Sequence, residues 1–332
     1  MIYVSDFVHL PYRDDLTEAG IVYARRVLRR LHGTAGRGFY DSVRRTVAAT
    51  AVELAFRRYL NAQGIAFGVC SAVPFSDPDR YHLEIGGRMC ELESFLISQQ
   101  SQIDALGADP GLALRAPALV PVDRHAAEAL RGDDLYLFAI VSGVVAGGRA
   151  DPVHMAVPSN RAFLMHAMPP AWMRPRTWAP LGPIALKSES RSGLSLELSG
   201  EEGSRMPLDL AVELAPGQRV EVNANFYSLS HLRAASRPMG RIGIHSPSHR
   251  ETQLVNPGDW HDVWLHGKDI CLLGWITREQ FRMRATLIPE GRRVFQFNRT
   301  RTKNLAVEVA GLKPVYRLLE GVRDGSLQRR PR

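Results

Sequence analysis

The chain has 332 residues, of which 45% are hydrophobic and 23% charged, as is typical of a globular protein large enough for two domains. No run of about 18 apolar residues predicts a membrane span, the N-terminus lacks a signal-peptide pattern, and Cys70, Cys90 and Cys271 form no Cys-x-x-Cys pair. Composition therefore argues against membrane proteins, zinc ribbons and disulfide scaffolds, and we expect a cytoplasmic protein with a net charge of +8.

Two helices are predicted in the first 62 residues. Apolar residues at helical spacing, decorated by arginines, predict the first helix over residues 14–32. The second is predicted over residues 39–61, where Val43 and Val47 belong to an apolar stripe. Glu53 stands out in this second helix as an acid among alanines and arginines.

A β-hairpin is predicted over residues 81–94. The residues before and after Gly86 and Gly87 alternate between apolar and polar, and two adjacent glycines are a strong turn signal. If the turn contains only those two glycines, Ile85 pairs with Arg88, and every later pair along the two strands follows from this register.

This register collects charged side chains on one face of the hairpin. His82 is set opposite Glu91, and Glu91 and Glu93 point the same way because they are two residues apart. The face carries these side chains: Arg80, His82, Glu84, Met89, Glu91 and Glu93. Such a face is either solvated or neutralised by a cation, and carboxylate oxygens suit Mg²⁺ or Mn²⁺.

The order of a helix with Glu53, a strand over residues 65–73 and this hairpin resembles the core of the PD-(D/E)xK nuclease superfamily, the restriction-endonuclease-like fold. The resemblance covers residues 40–100 and implies a mixed-sheet α/β core that hydrolyses phosphodiester bonds. It also implies that Glu53 is the helix carboxylate, that Glu91 is the acid of the (D/E)xK element and that Asp79 belongs to the Pro-Asp element.

Two positions depart from the family pattern. His82 stands where the family usually places its Asp, and Glu93 stands at the position of the Lys. The resemblance implies that Glu53 and Glu91, with Asp79 or His82, hold Mg²⁺ or Mn²⁺, and that Glu93 orients or deprotonates the attacking water. A second interpretation of His82 is a surface imidazole paired with Glu91.

The rest of the chain predicts a boundary near its middle. An almost wholly apolar strand over residues 135–145 closes a first domain at residues 1–150, and prolines and glycines follow it. Short strands separated by turns predict a β-rich second domain over residues 151–332. Within it, residues 262–276 are predicted as a hairpin with its turn at Gly267-Lys268.

Positive charge is concentrated in the second half. Residues 1–150 carry a net charge of −1 and residues 151–332 a net charge of +9, mostly from arginine, which suits a polyanionic partner. The segment 292–303 begins with Arg292 and is predicted as a strand. One face of that strand carries Arg293, Phe295, Phe297, Arg299, Arg301 and Lys303. These side chains would bind phosphates and stack on bases, or form a charged edge strand with two phenylalanines facing the core.

The function that the sequence predicts is metal-dependent cleavage of nucleic acid, DNA rather than RNA, of the kind used in genome defence. A rival prediction is a subunit whose nuclease core has degenerated and which binds nucleic acid or scaffolds a larger complex. A third is a protein-interaction module without a nucleic-acid partner.

Overall fold

The computed structural model describes residues 2–27, 37–71, 81–127, 131–145 and 161–328. Its contacts divide the chain into two compact units, and each unit is assembled from separate stretches. Unit 1 consists of Met1–Tyr23, Arg45–Val144 and His266–Arg332, and unit 2 consists of Ala24–Arg44 and Val145–Leu265. The last 67 residues of the chain, from His266 on, therefore group with its first half, whereas the sequence placed them in the second domain.

The helices have these bounds: α1 Asp14–Val27, α2 Arg37–Ala62, α3 Gln100–Ala108, α4 Gly111–Leu114, α5 Val122–Ala127, α6 Pro170–Met173, α7 Arg278–Arg284 and α8 Val315–Arg323. α2 contains the predicted second helix, and Val43, Val47 and Ala51 of its apolar stripe are buried. Among the helices that the structure describes, none is both long and apolar enough to cross a membrane.

A six-stranded mixed sheet forms the centre of unit 1. Its strands, in spatial order, are β1 (Val8–Pro11), β16 (Leu265–Thr277), β6 (Leu135–Val145), β4 (Arg88–Ile97), β3 (Tyr81–Ile85) and β2 (Phe67–Ser71). The strands β2, β3 and β4 form an antiparallel meander, whereas β4 and β6 run parallel. The mixed α/β class predicted from the sequence is thus confirmed, and the specific restriction-endonuclease-like core stays a prediction.

The strand β6 is the apolar strand predicted over residues 135–145. Every residue from Leu135 to Val141 is buried, as expected for a strand covered on both faces. A parallel neighbour requires a long crossover, and the chain between β4 and β6 provides it through α3, α4 and α5. The helix α5 of this crossover carries a residue that contacts the glutamates of β4.

Unit 1 also contains a three-stranded antiparallel sheet. Its order is β17 (Thr286–Ile288), β18 (Asn304–Glu308) and β5 (Pro117–Pro121). Side chains of β4, β5, β6, α7 and β18 share one hydrophobic cluster, which includes Phe95, Phe138 and Phe281. Strands from distant parts of the sequence therefore share one core.

Unit 2 is built from two antiparallel sheets. The five-stranded sheet has the order β10 (Pro207–Leu214), β9 (Leu194–Glu201), β12 (Ser228–Ala234), β7 (Leu164–Ala167) and β15 (His261–Asp262). The four-stranded sheet has the order β11 (Arg219–Val222), β8 (Ile184–Ser188), β13 (Ile242–His245) and β14 (Gln253–Val255). Alternating apolar residues from both sheets form one core, which is the pattern of a β-sandwich.

The hairpin predicted over residues 262–276 is wrong. β16 runs without a break from Leu265 to Thr277, and Gly267-Lys268 lies inside it. A Cβ added at Gly267 would lie 2.2 Å from the ring of Tyr12, so a close approach, and not a turn, requires glycine at this position.

Candidate functional site

The β3–β4 hairpin has the predicted register. Gly86 and Gly87 have φ values of +59° and +71°, as a two-residue turn of the primed type requires. Ile85 pairs with Arg88 and Leu83 with Cys90. The alternation of side chains along β4 is therefore as predicted, and Glu91 and Glu93 share a face.

That face of β4 is buried. Glu91 is 1% exposed and Glu93 is 6% exposed, so the alternative of a solvated acidic face is wrong. Across the parallel pairing with β6, Glu91 stands beside Tyr136 and Glu93 beside Phe138. Isolated carboxylates in such surroundings are costly, and they are found where a cation or several hydrogen bonds stabilise them.

Arg124 supplies the cation. Its Nη1 atom lies 2.7 Å and 2.9 Å from the two carboxylate oxygens of Glu93. The same atom lies 3.6 Å from Oε1 of Glu91, so a single nitrogen stands between the two acids. We call this arrangement the Glu91–Arg124–Glu93 cluster. The Arg124 side chain is 38% exposed, and it reaches from α5 at the surface to the buried strand.

Three further residues are linked to the cluster: Tyr136 stands beside Glu91 in the pairing of β4 with β6, His125 follows Arg124 in the sequence, and Arg278 bonds to His125. The Nδ1 atom of His125 and the hydroxyl of Tyr136 form a hydrogen bond of 2.9 Å. The guanidinium of Arg278 donates to the His125 carbonyl oxygen. Burial lowers the pKa of His125, and the positive charges of Arg278 and Arg282 lower it further. The imidazole is therefore neutral at pH 7, in surroundings that disfavour an additional positive charge.

Near the cluster, Asp134 joins the start of β4 to the start of β6 through hydrogen bonds. Its carboxylate is buried and accepts from the backbone N–H of Met89 at 3.0 Å and of Arg131 at 2.6 Å. These bonds tie the start of β4 to the start of β6 and so set the parallel register on which the positions of Glu91 and Tyr136 depend.

The other predicted metal ligands do not join this cluster in the described part of the chain. Glu53 pairs with Arg57 one turn further along α2. Asp79 and the side chain of His82 lie outside the described residues. Among the residues that the structure describes, no group of three histidine, cysteine, aspartate or glutamate side chains is arranged to hold a metal ion.

The segment predicted as a basic strand, residues 292–303, forms no strand in the structure. It lies in the connection from β17 to β18, residues 289–303, which we call the basic loop. Val294 bridges to Phe297 in a tight turn, and Phe295 and Phe297 pack on the unit 1 core. The rings of Phe297 and Phe95 pack edge to face, with 6.1 Å between their centres. The packing of the two phenylalanines overrides the alternation that predicted a base-stacking face.

The cations of the basic loop are nevertheless exposed on an ordered scaffold. The side chains of Arg292, Arg293, Arg299, Arg301 and Lys303 are exposed. The hydroxyl of Thr300 donates to the Pro289 carbonyl at 2.8 Å and accepts from the backbone N–H of Arg292 at 3.1 Å. At the end of the loop, the Val122 N–H donates to the Lys303 carbonyl at 3.1 Å, which joins the loop to the start of α5. Arg124 follows Val122 by two residues.

The excess positive charge of the second half of the sequence lies in its last stretch, residues 266–332. Residues 266–332 contain 15 lysines and arginines against 6 acids, whereas residues 151–265 contain 11 of each. The net charge of +9 that the sequence assigns to residues 151–332 thus comes from the stretch that returns to unit 1. This stretch includes the basic loop.

Sequence reasoning identified Glu91 and Glu93 but missed Arg124, His125 and Tyr136. Arg124 is 31 residues from Glu93, and its pairing depends on the crossover from β4 to β6. No local pattern in the sequence signals such a contact.

No model of a known protein family matches this chain, and no curated protein sequence is significantly similar to it.

Proposed function

We propose that this chain binds nucleic acid through a nuclease-like core in which the two strand carboxylates are held by an arginine. The observation that carries the proposal is the position of Arg124 Nη1, within 2.9 Å of both Glu93 oxygens and 3.6 Å from Glu91. A guanidinium in this place neutralises the acids that a nuclease of the PD-(D/E)xK kind would use to hold a cation. The rival prediction of a degenerate, nucleic-acid-binding core is the one that this geometry favours.

The basic loop supports a nucleic-acid partner. Its exposed cations, Arg292, Arg293 and Arg299 among them, follow one another on a loop held by Thr300 and by packed phenylalanines. Arginines on an ordered scaffold bind phosphates with little loss of backbone entropy. Phosphate binding of this kind makes affinity fall steeply with salt.

A divalent ion does not fit the described residues as they stand. Glu91 and Glu93 are already bridged by Arg124, and Glu53 is paired with Arg57. A metal site at β4 would have to separate Arg124 from Glu93. The Mg²⁺ or Mn²⁺ implied by the resemblance stays a prediction.

Metal-dependent cleavage of DNA is the second candidate function. One specific observation favours it: α2, β2, β3 and β4 follow one another along the chain, and the three strands are neighbours in a mixed sheet. The strand β4 carries the Glu-x-Glu pair, as the resemblance to the PD-(D/E)xK superfamily implies. In this candidate, Asp79 and His82 would complete the acidic site.

Binding and cleavage of labelled single- and double-stranded DNA and RNA by the purified protein separate these candidates. We expect salt-sensitive binding, and no cleavage in Mg²⁺, Mn²⁺ or EDTA. Replacing Arg292, Arg293 and Arg299 by Ala should weaken binding of double-stranded DNA and reduce the salt slope by about 0.9 for each phosphate that is no longer neutralised. The triple replacement of the exposed Arg191, Arg219 and Arg250 in unit 2 is the charge-matched control.

Each possible result of this experiment decides between the candidates. Cleavage that requires Mg²⁺ or Mn²⁺ and disappears in Glu91→Gln would establish the nuclease and refute the arginine-held core. Equal effects of the two triple replacements would show that binding does not use the basic loop. Absence of binding at low salt would refute the nucleic-acid partner and leave a protein-interaction module.

A further inference from the structure

Unit 2 contains an open pocket of about 680 Å³ that is separate from the site in unit 1. It lies between the segment that follows α6 and the turn that follows β13. Its walls are largely apolar and are formed by Pro170, Ala171, Pro175, Ala179, Pro180 and Leu181. Pockets of this size, with apolar walls and a few polar groups, are typical of small-molecule sites.

One wall of the pocket carries an imidazole with unused hydrogen-bonding capacity. The ring of His249 stacks on the buried Trp172, with ring centres 4.2 Å apart and planes inclined by 21°. The Nε2 atom of His249 is buried and has no hydrogen-bond partner among the described residues. Burial lowers the pKa of His249, so the ring is neutral at pH 7. The ring of His249 therefore adds a neutral aromatic surface to the wall of the pocket.

Two guanidinium groups stand at the same pocket. Arg174 and Arg176 line it and are exposed, and neither side chain forms an ion pair or hydrogen bond with any residue that the structure describes. No acid is among the described residues that line the pocket. The polar groups of these lining residues are therefore cationic or neutral.

We propose that this pocket binds a small organic anion, a carboxylate or a phosphate monoester carried on an apolar or aromatic body. Arg174 and Arg176 bind the anionic group through the paired N–H donors of their guanidinium planes. The proline and alanine walls and the His249 ring bury the apolar body. The proposal is independent of the function proposed for unit 1.

Four small probes test the proposal with the full-length protein: benzoate, its neutral analogue benzamide, phenyl phosphate and inorganic phosphate. Calorimetry measures affinity, and NMR titration of the His249 ring measures its pKa with and without probe. We expect benzoate or phenyl phosphate to bind at least about tenfold more tightly than benzamide and inorganic phosphate, a difference of about 1.4 kcal/mol. A bound anion should raise the pKa of His249.

Two double replacements complete the test. Arg174→Ala with Arg176→Ala should weaken binding of the anion at least about tenfold, whereas Arg191→Ala with Arg219→Ala, at exposed positions elsewhere in unit 2, should leave it unchanged. The relative affinities of benzoate and phenyl phosphate tell which anionic group the arginines prefer. The proposal is overturned if benzamide or inorganic phosphate binds as tightly as the tighter-binding of benzoate and phenyl phosphate, if both double variants behave alike, or if no probe binds.

Discussion

At the scale of single residues, Arg124 is the side chain on which the candidate site depends. Its Nη1 atom lies within hydrogen-bond distance of both oxygens of Glu93 and 3.6 Å from Glu91, and the side chain is 38% exposed. The arginine therefore connects the surface helix α5 to the two buried charges of β4. In the described structure, any ligand of those carboxylates has to compete with Arg124.

Removing Arg124 should destabilise the protein much more than removing a surface arginine. Arg124→Ala leaves two buried carboxylates with less compensating charge, and we expect a loss of about 2–3 kcal/mol, below the range for fully buried pairs because the side chain is partly solvated. The matched control is Arg115→Ala, whose exposed pair with Asp109 at 2.9 Å should contribute less than about 1 kcal/mol. Urea denaturation measures both values.

A double variant separates charge from packing at this position. Glu93→Gln removes one of the buried charges, so in the Arg124→Ala background it should recover part of the missing stability. If Arg124→Ala costs no more than Arg115→Ala, or if Glu93→Gln destabilises the Arg124→Ala protein further, the cluster does not hold the fold as described.

At the scale of elements, two glycine-containing segments are both predicted as hairpin turns, and only one of them is a turn in the structure. Gly86-Gly87 forms the predicted turn because strands of suitable length flank it and both residues adopt positive φ values. Gly267-Lys268 has a comparable composition but lies within the 13 residues of β16, where Gly267 makes room for Tyr12. Local composition cannot distinguish a turn glycine from a close-approach glycine, because the second depends on a residue far away in sequence.

The basic loop shows that side-chain alternation, like glycine content, does not determine the local backbone. The pattern from Arg293 to Lys303 has the period of a strand, yet Phe295 and Phe297 are drawn to the unit 1 core, while the Thr300 hydroxyl bonds back to Pro289. Tertiary packing decides the backbone here, as it commonly does for short segments. The exposure of the cations is consistent with either local conformation, so the charge prediction does not depend on the predicted strand.

The turn glycine provides a prediction at this scale. Gly86 has a φ of +59°, and an added Cβ would lie 3.3 Å from the Leu327 carbonyl oxygen, so Gly86→Ala should destabilise the protein by about 1–2 kcal/mol. Gly86→Asn should cost less than Gly86→Ala, because asparagine tolerates this region. Gly107→Ala, in α3 with no atom within 4 Å, should be neutral or stabilising by about 0.5 kcal/mol. Thermal and urea unfolding measure all three. An asparagine that costs more than alanine would attribute the effect to crowding and not to backbone conformation.

At the scale of the whole molecule, unit 1 is completed by the last stretch of the chain. β16 stands between β1 and β6, and β18 stands between β17 and β5, so both sheets of the unit need residues beyond 265. The sequence identifies β6 and the β3–β4 hairpin from local patterns. It does not identify β16 as the neighbour of β6, because that pairing joins strands more than 100 residues apart in the sequence. The same return of the chain brings the basic loop to α5.

This topology predicts how the chain can be divided. Residues 1–150 alone would leave the edges of β6 and β5 without the partners they have in the full chain, so we expect this fragment to lack a cooperative thermal transition by circular dichroism. The Ser142 hydroxyl donates to the Asp269 carbonyl at 3.5 Å, so the end of β6 and the start of β16 lie close together. A short Gly-Ser linker can therefore join residues 1–145 to residues 266–332 in place of unit 2.

The joined chain should unfold in one cooperative transition, at a lower Tm than the full-length protein because residues 24–44 lose their neighbours in unit 2. It should also retain salt-sensitive binding of nucleic acid, since the Glu91–Arg124–Glu93 cluster and the basic loop are both present in it. A cooperative transition from residues 1–150 alone would show that β16 and β18 are dispensable and would contradict the division into units. If the joined chain folds but binding requires residues 146–265, the nucleic-acid surface lies outside unit 1, and the basic loop serves another partner.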